Sequence, residues 1–121
     1  MRLLSVLLVV AVLSLSVVGP AFAMDNGECN HDLATIESLH HCVTHAAEMG
    51  HITNHGVANA LLSKLNAAQA ALDRGQPAVA ITILRAFIHT VEAQSGVSIV
   101  DPHGEHLIMH AQMVIDALQS N

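Results

Sequence analysis

The sequence predicts an all-α protein, a small antiparallel four-helix bundle. Apolar residues recur at helical spacing in four stretches, each bounded by capping or turn residues, and no stretch shows sustained alternation of apolar and polar residues. The first helix runs from about Leu33 to Met49, with Asp32 as N-cap and Gly50 as the stop. Its stripe is Leu33, Ile36, Leu39 or His40, Val43 and Ala47. The second runs from about Val57 to Arg74, capped by Asn54, with Val57, Leu61, Leu65, Ala68 and Leu72 on one face and Gly75 closing it.

The third helix opens at Pro77, since proline suits a first-turn position that needs no N–H donor. It carries Ala80, Ile81, Leu84, Phe87, Ile88 and Val91 and frays at Ser95-Gly96. The fourth begins at Asp101-Pro102, with Leu107, Ala111, Val114, Ile115 and Leu118 as its stripe. Val97 to Val100 is too short to need a sheet. Short connections make consecutive helices antiparallel neighbours. That connectivity sends every histidine except His31 toward one end of the bundle, leaving His31 alone at the other.

Residues 1–23 read as a cleaved signal peptide. Arg2 precedes a long apolar run from Leu3 to Val18, and Ala21-Phe22-Ala23 is a small-residue cleavage signal. Cleavage leaves residues 24–121 as one exported domain, periplasmic or secreted, without a membrane anchor. An uncleaved anchor is the alternative, because the apolar run is nearly long enough to span a bilayer.

The chain carries ten carboxylates against four strong bases, a net charge of −6 with neutral histidines. Such a surface repels phosphate backbones and disfavours nucleic acid as a partner. Protonation of its ten histidines would reverse the sign of that charge. Trp and Tyr are absent, which argues against a sugar-stacking cleft or an aromatic interface hot spot.

Cys29 and Cys42 are an even pair in a chain read as exported, so a disulfide is expected. A helix starting near Asp32 would lift Cys42 about 15 Å along the axis. The three residues back to Cys29 reach only about 10 Å. Closure therefore requires the N-terminal segment to fold back, or the helix to start later. Free thiols, or a Cys42 thiolate serving as a metal ligand, are the alternatives.

Two His-x-x-x-His pairs are the sharpest local signals. His41/His45 and His106/His110 each set two imidazoles on one helix face, a spacing that can chelate one ion. On neighbouring helices they could offer four nitrogens to zinc, copper or nickel. His51, His55 and His103 lie at the same end and join the candidate ligand set, His51 and His55 as a second site or as caps on the carbonyls ending the first helix. Glu48 or Glu105 could serve as a fifth ligand or a supporting group. A polar surface stripe would read the same way for either pair alone.

His40 falls on the inward stripe and reads as a boundary residue, and His89 carries no assignment. The run His103-x-x-His106-x-x-Met109-His110-x-x-Met113 would suit copper, whose monovalent form favours sulfur. Packing is nonetheless the expectation for Met109 and Met113.

Enzyme signatures are missing. The sequence has no HExxH, nucleophile elbow, phosphate-cradling glycine loop or CxxCH haem attachment. The small alanine-rich interior leaves little room for a b-type haem.

A family resemblance rests on Gly50-His51-Ile52-Thr53-Asn54-His55-Gly56-Val57-Ala58-Asn59 and Leu61-Leu62-Ser63-Lys64-Leu65-Asn66-Ala67-Ala68. It continues through Ala86-Phe87-Ile88-His89-Thr90-Val91-Glu92-Ala93-Gln94-Ser95-Gly96, then Leu107-Ile108 and Ala111. Over about Gly50 to Leu118 the chain resembles the FIMAH domain, a small helical module of secreted bacterial proteins. The resemblance implies a non-catalytic accessory module with an extracellular or envelope protein as partner. His51, His55, His89 and His103 depart from the family's usual residues, so the shared fold leaves them unexplained.

Three functions follow as expectations. The first is an exported, non-enzymatic protein binding a late divalent metal at its histidine-rich end. The second is an interaction module with incidental histidines. The third is a pH sensor whose crowded imidazoles repel on protonation.

Overall fold

A computed structural model of the protein describes residues 29–121, and the segment read as a signal peptide lies outside them. Among the described residues there are four helices: α1 (Ile36–Glu48), α2 (His55–Asp73), α3 (Pro77–Gln94) and α4 (His103–Gln119). Each helix packs on the next, and α1 closes the bundle against α4. Strands are absent among the described residues; Ile52 and Ile99 form only an isolated antiparallel bridge.

The core is aliphatic. Leu39, Val43, Leu61, Leu65, Leu84, Phe87, Val91 and Ile115 are buried together, each worth about 1.5–3 kcal/mol of transfer free energy. Buried Ala68, Ala71, Ala80 and Ala111 lie among them, and their small side chains leave room for helix backbones to draw close.

α1 begins later than its apolar pattern suggests. Thr35, not Asp32, is the N-cap, and its hydroxyl accepts from Ser38 N at 3.1 Å. Asp32 instead donates its N–H to Asn30 Oδ1 at 3.0 Å, holding a turn. The Ser38 hydroxyl donates to Asn30 O at 2.7 Å and ties the N-terminal strap along the helix. From Ile36 the climb to Cys42 is only about 9 Å. Fold-back and late start thus act together, and Cys29 forms a disulfide with Cys42.

The other starts follow the punctuation more closely. Asn54 Oδ1 accepts from Gly56 N at 2.8 Å and Val57 N at 3.2 Å, so α2 opens at His55. α3 opens on Pro77 as expected. α4 opens at His103, one residue beyond the expected proline start. Gly50 and Gly75 take φ of 78° and 72° after α1 and α2, the left-handed conformation that ends a helix.

Two loops meet at one end of the bundle. Thr53 N donates to Ser98 O and Val100 N donates to His51 O, both at 2.8 Å. Ile52 and Ile99 are buried between them. Isolated apolar residues in short connections carry no periodic signal, so this latch was not legible as part of the core. It sets the entrance of α4 beside the exit of α1.

Candidate metal centre

The strap, α1, the α1–α2 loop and the first turn of α4 border an open cavity of about 280 Å³. His31, His45, His51, His103 and His106 line it, with the disulfide, Ala46 and Leu107. The loop latch carries His51 onto His103, and their rings stack with centroids 3.6 Å apart and an interplanar angle of 14°. His106, one turn along α4, meets the edge of the His31 ring at 5.8 Å.

His31 corrects its expected position. Connectivity placed it alone at the far end, but the strap folds back along α1 and sets its ring 5.6 Å from His110 and 5.8 Å from His106. The signal for this lay in Cys29-x-His31: whatever bonds to Cys42 brings His31 with it.

The two His-x-x-x-His pairs do not converge as four equivalent ligands. His45 lines the cavity, whereas His41 is exposed and does not. Residues at i and i+4 lie about 40° apart around a helix. His45 falls on the side of Cys42, and His41 is turned further toward solvent. On α4, His106 lines the cavity while His110 is 1% exposed beneath it. His55 opens α2, exposed, and does not line the cavity. His40 borders a separate groove between α1 and α2 with Ile36, Leu65 and Gln69. His89 is exposed beside Glu92, 3.2 Å from its carboxylate.

Met109 and Met113 also differ from expectation. They are 57% and 40% exposed rather than packed. With His31, His106 and His110 they border a second hollow of about 260 Å³ on the outer side of α4. The inner face of that helix is already filled by Leu107, Ala111 and Val114.

Two features bear on ligand chemistry. His45 Nε2 is buried and has no hydrogen-bond partner, an omission that costs about 1–3 kcal/mol at a buried polar atom. His31 and His103 are held below the usual imidazole pKa range. Burial is the first cause for each, followed by His110 and His106 for His31, and by His51, His106 and His31 for His103. Neutral rings keep a lone pair, the form a metal requires. Among the described residues, every side chain that lines the cavity offers nitrogen or sulfur or is apolar.

Residues 36–116 match the family model of the FIMAH domain. The chain belongs to the FIMAH family. The match starts at α1, so this FIMAH domain includes the first helix as well as the three that the sequence motifs marked. Cys29 and His31 lie before the matched region and are contributed to the cavity by the strap. No curated protein and no solved structure matches the chain. Among the described residues no helix is long and apolar enough to cross a membrane.

Proposed function

We propose that this FIMAH protein is an exported, non-enzymatic module that binds a late divalent transition metal in the histidine cavity. The observation that carries the reading is the buried, unpartnered Nε2 of His45 in a cavity that four further imidazoles line. A metal would satisfy that nitrogen. Imidazole suits zinc, copper and nickel alike, so ligand type narrows the ion to this group and excludes calcium and magnesium, which prefer oxygen. The disulfide suits an oxidising compartment, in keeping with the signal-peptide reading. Buffering or passing on the ion fits a shallow, solvent-reachable site better than a structural role.

Calorimetric titration of the oxidised, tag-free protein with Zn²⁺, Cu²⁺ and Ni²⁺ at neutral pH tests this. Micromolar or tighter binding of at least one ion is expected, weakened by His45→Ala and His103→Ala. Absence of binding by all three removes the proposal.

A second reading is favoured by family membership: an interaction module for an extracellular or envelope protein, with the histidines incidental or pH-sensing. It predicts a partner whose capture survives chelator and the His45→Ala/His106→Ala replacement. Capture that requires the metal would sink it.

A further inference from the structure

At the wall of the histidine cavity, Cys29, His31 and Cys42 meet His110 beneath it, and four potential ligand atoms converge that the oxidised protein does not use as a set. Cys29 Sγ, Cys42 Sγ, one nitrogen of His31 and one of His110 all lie within 4.8 Å of one another. We infer that reduction of the Cys29–Cys42 disulfide opens a second, tetrahedral Cys₂His₂ site at these residues, selective for zinc-like ions. The inference does not depend on metal binding by the oxidised cavity.

Three observations carry it. First, His31 Nδ1 stands 3.5 Å from Cys29 Sγ, and His110 Nδ1 stands 3.5 Å from Cys42 Sγ. Metal–sulfur bonds near 2.3 Å and metal–nitrogen bonds near 2.0–2.1 Å at tetrahedral angles give a sulfur–nitrogen edge of about 3.5 Å. Two edges of the polyhedron are therefore already set. The bonded sulfurs must separate to about 3.8 Å for the same geometry, and the remaining edges already lie within 4.8 Å.

Second, His110 is oriented as a ligating histidine is. Its Nε2 lies 2.7 Å from Leu33 O, an atom that can only accept, so Nε2 carries the proton. In the neutral ring Nδ1 is then a lone pair directed at Cys42 Sγ. A disulfide sulfur has no hydrogen to donate, so this lone pair, on a side chain 1% exposed, goes without a donor. Reduction followed by metal binding would satisfy it. Backbone-anchored second nitrogens are the usual support of metal-bound histidine.

Third, the disulfide is approachable from one side. Cys29 is half-buried and the bond borders the cavity, whereas Cys42 is buried. A dithiol reductant would attack Cys29 Sγ, displace Cys42 as thiolate and form a mixed disulfide. Its second thiol would then release Cys29, closing a disulfide on the reductant. Two electrons and two protons end on the cysteine sulfurs. Zn²⁺ binding returns those two protons to solvent.

Anaerobic titration with Co²⁺, then Zn²⁺, tests the site on protein reduced by a phosphine that is removed beforehand. One equivalent of Co²⁺ should produce thiolate-to-cobalt charge-transfer absorption, abolished by one equivalent of Zn²⁺. The oxidised protein should show none. Zinc should bind the reduced form on the order of 100-fold tighter than the oxidised form, as befits a thiolate-containing structural site. Cys29→Ser, at a half-buried strap position, should weaken the band and lower affinity while circular dichroism stays helical.

If reduction itself lowers helicity, recovery at one equivalent of zinc supports the site; failure to recover overturns it. Lack of a charge-transfer band, or a band unchanged by Cys29→Ser, also overturns it. Loss of zinc binding by the oxidised protein would instead count against the histidine cavity alone.

Discussion

His51 and His103 stack face to face at 3.6 Å although one lies in the α1–α2 loop and the other opens α4. Backbone pairing of Thr53 with Ser98 and of His51 with Val100 brings them together, so the histidine cavity is assembled by loop pairing as much as by helices. The stack gives the first prediction. His103→Ala should weaken metal binding by the oxidised protein by at least the ~10-fold that loss of a mere supporting group costs. His41→Ala, one turn before His45 and outside the cavity, should leave affinity unchanged. Parallel calorimetric titrations of the two variants check this.

Stability of the metal-free protein should fall with acidification. His31 and His103 have folded-state pKa values below their unfolded value of 6.5, chiefly through burial. The unfolded chain therefore binds more protons than the folded one as pH drops through that value, and stability declines with it. Their contribution is complete above pH 6.5 and is lost between 6.5 and the lower folded values. Thermal unfolding between pH 7.5 and 5.5 should show a lower Tm at the acid end, with a smaller difference in His31→Asn.

Gly104 sits at the start of α4, where an added Cβ would collide with Ser95 Oγ and meet Ser95 Cβ at 3.1 Å. Gly104→Ala should therefore destabilise the fold by about 1–3 kcal/mol through overpacking. Because Gly104 separates His103 from His106 by a single turn, metal affinity should fall as well. Adding Ser95→Ala removes the colliding oxygen and should recover part of the lost Tm, a non-additivity that a double-mutant cycle measures.

Met109 and Met113 border the outer hollow with three histidines, and thioether sulfur favours monovalent copper. Replacing both with leucine should lower Cu⁺ affinity while leaving Zn²⁺ binding intact. Competition against a chromophoric Cu⁺ chelator reads the difference. Since both side chains are substantially exposed, the Tm of the double variant should move little.

Helix number, order and most boundaries were legible because periodicity and capping are local. Asn54, Pro77 and the glycines after α1 and α2 act within a few residues of where they stand. The first helix's start was misread because Asp32 and Thr35 are both competent caps. The choice between them rests on the tie between Ser38 and Asn30, made when the strap folds back.

Sequence alone determined the all-α class, the histidine wealth and the family kinship, all of which follow from residue type and short-range spacing. Tertiary structure decided which imidazoles meet. Helical geometry turned His41 outward and His45 inward, the disulfide brought His31 across from its expected end, and loop pairing set His51 on His103. These outcomes depend on contacts between residues far apart in the chain, whose side-chain directions no local pattern specifies.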